Sequence, residues 1–77
     1  MYIVIELQTT NDQTANIVTT KDTQEKAMSA YHSILAAAAV SNVEYHTALV
    51  IDPKGQYLAR ECYYHPQPEP EPEEVSE

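Results

Sequence analysis

The segment Asp22–Val40, DTQEKAMSAYHSILAAAAV, determines the architecture, because it is long and periodic enough to form a helix of several turns. The spacing Asp22-x-x-Glu25 predicts a capping box at its start, and Asn42, which can adopt a left-handed conformation, predicts its end. A helix with a single apolar stripe is expected to pack on a sheet. The stripe consists of Ala27, Met28, Tyr31, Ile34, Leu35, Ala38 and Ala39.

One pair of strands is predicted before this helix and a second pair after it. Residues 2–9 open with a continuous run of mostly β-branched apolar residues, which is typical of a strand in the middle of a sheet. Residues 15–20 are rich in threonine and suit an edge, while residues 43–51 and 56–64 flank the turn Asp52-Pro53-Lys54-Gly55. The order β-β-α-β-β predicts an α+β fold, in which a four-stranded, largely antiparallel sheet carries the helix on one face.

The second predicted hairpin brings the single cysteine close to a histidine. A type I turn with a glycine bulge would set Asp52 opposite Gln56, and this register would place His46 opposite Cys62. A thiol beside an imidazole could be a nucleophile with its base or half of a zinc site. We favour simple packing, because the other groups of either site are missing and a free cysteine behaves as a small hydrophobe.

The chain divides into a domain at residues 1–65 and a tail at residues 66–77. The tail alternates proline with polar residues and holds five glutamates without a basic residue, which predicts a disordered acidic segment. The net charge of the whole chain is −8, and that of residues 1–65 is −3. Without a basic patch to neutralise phosphates, direct binding to nucleic acid is not expected.

The motifs of the common enzyme classes do not occur in the sequence. Gly55 is the only glycine and belongs to a turn, so a phosphate-binding loop is excluded, and neither G-x-S-x-G, H-E-x-x-H nor C-x-x-C is present. We therefore predict no catalytic residues, no cofactor and no metal. No signal peptide or membrane-spanning run is visible, so the expected location is the cytoplasm, or a virion if the protein is structural.

Several features point to a protein partner. A core of about 65 residues supplies only about 3–5 kcal/mol, and oligomerisation is a common way of adding to it. Apolar residues are expected on both faces of the sheet although one helix can cover only one, and all aromatic residues are tyrosines, which are enriched at interfaces. The alanine run could be a close-packing surface or could simply reflect helix propensity. The predicted contact residues of a homodimer or higher homo-oligomer are Tyr2, Val4, Ala36, Ala37, Val40, Tyr45, Tyr57 and Tyr63.

The segments MYIVIELQT, YHSILAAAAVS and ECYYH, followed by a Pro/Glu tail, resemble short uncharacterised proteins of Gram-positive gut bacteria and their prophages. The resemblance spans most of residues 1–65 and implies a phage or prophage accessory context. Together with the composition, it leads us to expect a non-enzymatic interaction or assembly module, with a virion accessory or structural role. The alternative is an acidic inhibitor of a host protein, such as an anti-CRISPR protein or a nucleic-acid mimic.

Overall fold

The structure is a computed structural model and describes residues 1–67. It confirms the predicted α+β fold with one open antiparallel sheet and one helix in the order β-β-α-β-β. Residues 68–77, most of the predicted tail, lie outside the described residues. The elements are β1 (Tyr2–Thr10), β2 (Gln13–Lys21), α1 (Gln24–Ala39), β3 (Tyr45–Ile51) and β4 (Tyr57–Tyr64).

The four strands are arranged in the order β2-β1-β3-β4, and each neighbouring pair is antiparallel. The apolar run of β1 therefore lies in the middle of the sheet and the threonine-rich β2 lies at an edge, as the sequence predicts. Since β2 and β3 are both antiparallel to β1, they run parallel to each other. The helix α1 connects them across β1 and packs over β1 and β3.

Both hairpins close through turns that the residue types explain. Asn11 and Asp12 adopt φ angles of 54° and 65°, the left-handed values that a two-residue type I′ hairpin requires. In the second turn Gly55 has a φ of 87° and donates its N–H to the Asp52 carbonyl at 2.9 Å. The Asp52 carboxylate also accepts from the backbone N–H groups of Lys54 and Gln56 at 2.9 Å, which fixes the turn.

The predicted register of the β3–β4 hairpin is wrong beyond its first pairs. Asp52 does lie opposite Gln56 and Ile51 opposite Tyr57, but Leu58 is an extra residue in β4, and Val50 pairs with Ala59. A bulge of this kind exchanges the faces of all the residues that follow it. Its effect here is to direct Arg60 away from the apolar underside of the helix.

The helix is capped differently from the prediction. Thr23, not Asp22, is the N-cap, and its hydroxyl oxygen accepts from the Lys26 N–H at 3.2 Å. Asp22 instead forms an exposed ion pair with the Lys26 side chain at 3.2 Å. At the other end the C-cap is Val40, and the left-handed conformation predicted for Asn42 is wrong, because its φ is not positive.

The core lies between α1 and the centre of the sheet. Its sheet side consists of Val4, Ala48 and Val50, and its helix side of Ala27 and Tyr31, all at most 5% exposed. Alanines at the contact let the helix approach the strands closely. Burial raises the pKa of the Tyr31 hydroxyl, and the nearby negative charge of Glu61, together with Tyr63, raises it further.

Candidate interaction surface

The side of the sheet opposite α1, here called the open face, carries no covering element within residues 1–67. Residues paired across neighbouring strands point to the same side of the sheet, so the pairing assigns each side chain to a face. The open face consists of cross-strand rows, read from β2 to β4: Thr20, Ile3, Ile51 and Tyr57; Val18, Ile5, Leu49 and Arg60; Asn16, Leu7, Thr47 and Cys62; and Thr14, Thr9, Tyr45 and Tyr64.

The centre of the open face is aliphatic and almost uncharged. Ile3, Ile5, Leu7, Leu49 and Ile51 form a continuous block on the two central strands, and each retains partial exposure to solvent. Val18 extends the block onto β2 and is 57% exposed. The largest contiguous apolar patch on a soluble protein is often an interaction site, especially where polar residues surround it.

The rim of the open face is aromatic on the β4 side. Tyr45 and Tyr64 stack with their ring centroids 4.9 Å apart, which holds both rings in place. Arg60 is the one charged side chain that the described residues place on this face, and its guanidinium lies 5.8 Å from the centre of the Tyr57 ring. Tyrosine and arginine around an apolar centre match the composition of interface contact residues.

The predicted contact residues are divided between the two faces. Tyr45 and Tyr57 lie on the open face, 44% and 66% exposed. Val4 is 1% exposed in the core, so its prediction as a contact residue is wrong. Tyr2 packs against the same core, and Tyr63 lies on the helix side because it pairs with His46.

The alanine-rich end of the helix is a separate surface. Ala36 and Ala37 are exposed, and Val40 is 85% exposed, so these predicted contact residues are accessible but distant from the open face. Ala38, in contrast, is fully buried. Exposed alanines near a helix end are also explained by helix propensity alone, and they form a smaller apolar area than the open face.

Sequence reasoning selected the wrong side of β1 and missed part of β4. The alternation of β1 places Ile3, Ile5 and Leu7 together, and this signal is visible in the sequence. Which of the two sides the helix covers is not visible there, because Val4 and Ile5 are equally apolar. Arg60 and Tyr64 were missed for a different reason, since the bulge at Leu58 exchanges the faces of β4.

The predicted proximity of Cys62 and His46 is wrong. Cys62 pairs with Thr47 and is exposed on the open face, whereas His46 is 4% exposed beneath the helix. The sheet separates the thiol from the imidazole, so the two cannot act as nucleophile and base or share a metal ion. Within residues 1–67 no group of three or more His, Cys, Asp or Glu side chains is placed to hold a metal.

His46 belongs instead to a polar network under the helix that sequence reasoning did not find. Its Nε2 contacts Glu6 Oε2 at 2.5 Å, and its Nδ1 lies 3.0 Å from the Ser41 hydroxyl. Gln8 donates to the same Glu6 oxygen at 2.9 Å. Burial raises the pKa of the Glu6 carboxyl group, but the hydrogen bonds from His46 and Gln8 and the charge of His46 outweigh it, so the pKa lies below its ordinary value of 4.5.

The order Ser41–His46–Glu6 is that of a hydrolytic triad, but its position is unfavourable for acyl transfer. Ser41 directly follows the C-terminus of α1, where the free carbonyl groups and the helix dipole disfavour negative charge. A serine nucleophile needs donors that stabilise an oxyanion, and the N–H of Ser41 already donates to the Ala38 carbonyl. We therefore interpret the network as structural: it joins β1, β3 and the end of the helix.

The segment after β4 fixes the same end of the helix. His65 Nε2 donates a second hydrogen bond, at 2.8 Å, to the Ala38 carbonyl, which also accepts from the Ser41 N–H at the C-terminus of the helix. The backbone N–H of His65 donates to the Glu44 carbonyl at 2.7 Å, and the Gln67 amide donates to the Asn42 carbonyl at 3.1 Å. Because these contacts lie on the helix side, they leave the open face uncovered.

Comparisons of this chain with known protein families, with characterised proteins and with solved structures find no match. No helix within the described range is long and apolar enough to span a membrane. The interpretation of the surface therefore depends on its own geometry and chemistry.

Proposed function

We propose that this protein is a non-enzymatic assembly module that associates with a second copy of itself through the open face. The observation that carries the proposal is the composition of that face: an aliphatic centre formed by β1 and β3, a tyrosine rim, and Arg60 as its one charge. In the assembly, two sheets stack about 10 Å apart and both helices lie on the outside.

The open face is large enough for a specific interface. Four strands at about 4.8 Å spacing give a width of about 19 Å, and the seven residues of β3 at about 3.3 Å give a length of about 23 Å. The flat projection is then about 440 Å² per copy, or about 900 Å² for two copies, before the relief of the side chains is added. That area exceeds the roughly 800 Å² of most crystal contacts and approaches the roughly 1,000 Å² expected of a biological interface.

The small core favours permanent association with a second copy over transient binding to another protein. Within residues 1–67 the fully buried apolar side chains are small or medium in size, and Val4 and Val50 are the largest of them. A domain with such a core gains stability from permanent burial of further apolar area. A second copy is always available for this purpose, and a face without acidic residues adds no repulsion between two chains that each carry a net charge of −8.

A pair of charge substitutions tests the proposal. Ile5→Glu places a carboxylate in the centre of the open face, and Ala37→Glu makes the same charge change on the exposed helix surface. Light scattering coupled to gel filtration is expected to give the wild type and Ala37→Glu at least twice the chain mass of 8.7 kDa. Ile5→Glu is expected to lose the association through the open face and so to have at most half the mass of the wild type.

The outcomes separate the two candidate surfaces. Because Ile5→Glu could also weaken the fold, Thr47→Arg is measured beside it, since it places charge on the same face at a position that is already polar. Circular dichroism establishes that each variant is folded. A monomeric wild type, or dissociation by Ala37→Glu instead of Ile5→Glu and Thr47→Arg, would overturn the proposal.

The resemblance of residues 1–65 to short prophage proteins suggests where such a module would act. A self-associating unit of this size fits an accessory or structural role in a virion, or in the cytoplasm during assembly.

A further inference from the structure

The outer edge of β2 is an unprotected strand edge. In the described part of the chain β2 pairs with β1 alone, so half of its backbone groups have no strand partner. The two-residue turn makes Thr10 and Gln13 a hydrogen-bonded pair, and such pairs alternate along an antiparallel ladder. The residues that point their N–H and C=O groups outward are therefore Thr14, Asn16, Val18 and Thr20.

The middle of this edge is apolar on both faces. Ile17 lies on the helix side and is 55% exposed, because α1 packs over the centre of the sheet and leaves β2 largely uncovered. Val18 lies on the open face and is 57% exposed. Two adjacent β-branched apolar residues on an edge strand favour pairing with another strand.

The devices that usually prevent edge pairing are absent from residues 13–20 of β2 and present on β4. Residues 13–20 contain no charged residue and no proline, and β2 pairs with β1 in an unbroken register. The opposite edge, β4, carries Arg60 and Glu61 and is distorted by the extra residue Leu58. Bulges and charges are the features with which natural sheets block their edges.

We propose that β2 pairs with β2 of a second copy in an antiparallel arrangement centred on Ile17. This register sets Thr14 opposite Thr20 and Asn16 opposite Val18, so that every outward-facing residue of one strand meets an outward-facing residue of the other. The pairing forms about eight backbone hydrogen bonds across the two-fold axis. A second copy suits this edge because residues 13–20 carry no charge and the register uses the whole length of β2.

The pairing extends the sheet without changing its faces. A two-fold axis perpendicular to the sheet makes the strands antiparallel and leaves both helices on the same side. Ile17 then contacts Ile17 of the second copy at a non-hydrogen-bonded position, where side chains approach closely. The open faces of the two copies join into one continuous surface, so edge pairing and face stacking together would give a tetramer.

Amide hydrogen exchange measured by NMR at a series of protein concentrations tests the register residue by residue. The amides of Ala15, Ile17 and Thr19 already donate to β1 and are expected to be protected at every concentration. Those of Thr14, Asn16, Val18 and Thr20 are expected to gain at least tenfold protection as concentration rises. Fast exchange at these four positions at all concentrations would overturn the edge pairing.

A proline substitution provides the matched variant test. Asn16→Pro removes one outward N–H but no hydrogen bond to β1, because Asn16 occupies a non-hydrogen-bonded pair with Leu7. Asn16→Ala changes the same side chain and keeps the N–H. Asn16→Pro is expected to abolish the concentration-dependent protection of Thr14, Val18 and Thr20, and Asn16→Ala is expected to keep it. Equal protection in both variants would contradict the proposal.

The edge pairing and the association through the open face can each be refuted independently of the other. If Asn16→Pro converts a tetramer to a dimer that Ile5→Glu then dissociates, both interfaces exist. If the wild type is a dimer that Ile5→Glu leaves unchanged and Asn16→Pro dissociates, the edge pairing stands and the open-face proposal falls. A dimer that is insensitive to Asn16→Pro and dissociated by Ile5→Glu would eliminate the edge pairing alone.

Discussion

The contact between Glu6 and His46 gives the sharpest prediction about stability. The Glu6 side chain is 17% exposed and that of His46 is 5% exposed, so solvent screens their interaction little. Glu6→Gln keeps the shape of the side chain and removes its charge. A hydrogen bond to a charged group contributes about 1.5–3 kcal/mol and a neutral one about 0.5–1.5 kcal/mol, so the variant is expected to lose about 1–2 kcal/mol of unfolding free energy near pH 7.

The same contact predicts how this loss depends on pH. Because the pKa of Glu6 in the folded chain lies below its ordinary value of 4.5, the pair stabilises the fold fully above that pH. The stabilisation disappears as the pH falls through the folded-state pKa, since a protonated Glu6 resembles glutamine. The difference between wild type and Glu6→Gln is therefore expected to shrink to within about 0.5 kcal/mol in strong acid.

Urea unfolding followed by circular dichroism, near pH 7 and near pH 3, measures both quantities. Protein concentration must be equal in all samples, because association contributes to apparent stability. Glu25→Gln is the control: it changes the same charge on the exposed first turn of the helix and is expected to cost at most about 0.5 kcal/mol. A difference in unfolding free energy between wild type and Glu6→Gln that is equally large at both pH values would show that the charge of Glu6 does not stabilise the fold through His46.

Two pairs of substitutions test the helix start and the core, and thermal unfolding at fixed protein concentration measures the effect of each. Thr23→Ala should lose about 1 kcal/mol of unfolding free energy because it removes the N-cap. Asp22→Ala should lose less than about 0.5 kcal/mol because it removes only an exposed ion pair with Lys26. A larger loss for Asp22→Ala than for Thr23→Ala would identify Asp22 as the cap. Ala48→Leu adds volume to a fully buried position under the helix and should cost about 1–3 kcal/mol of unfolding free energy. Ala37→Leu on the exposed side of the helix should be nearly neutral. Equal effects of the two substitutions would show that the helix does not pack closely on β3 at Ala48.

The fold could be predicted because the strongest sequence signals agree with it. The apolar run of β1 predicts a central strand, the threonines of β2 predict an edge, and the periodicity of residues 22–40 predicts the helix. The cap was mispredicted because Asp22 and Thr23 are adjacent residues that both cap helices well, and only the backbone geometry decides between them.

The candidate surface could be predicted only in part. Apolar character on both faces of the sheet follows from the sequence, and with it the expectation of an uncovered side. Which side chains of β4 lie on the open face does not follow from the sequence. The single extra residue Leu58 shifts the register of β4 and places Cys62 opposite Thr47 instead of His46. The Glu6–His46 contact joins residues 40 positions apart and requires the strand order, which local patterns do not determine.

The native thiol of Cys62 reports directly on whether the open face is covered. It is exposed on that face in a single chain and lies on β4, away from the β2 edge, so only stacking of the open faces would shield it. The measurement is the rate of alkylation of Cys62 in the unmodified chain as a function of protein concentration, with Ile5→Glu as the unshielded reference. The account predicts a rate that falls several-fold as concentration rises and a constant, fast rate in Ile5→Glu. A rate for the wild type that equals that of Ile5→Glu at every concentration would contradict it.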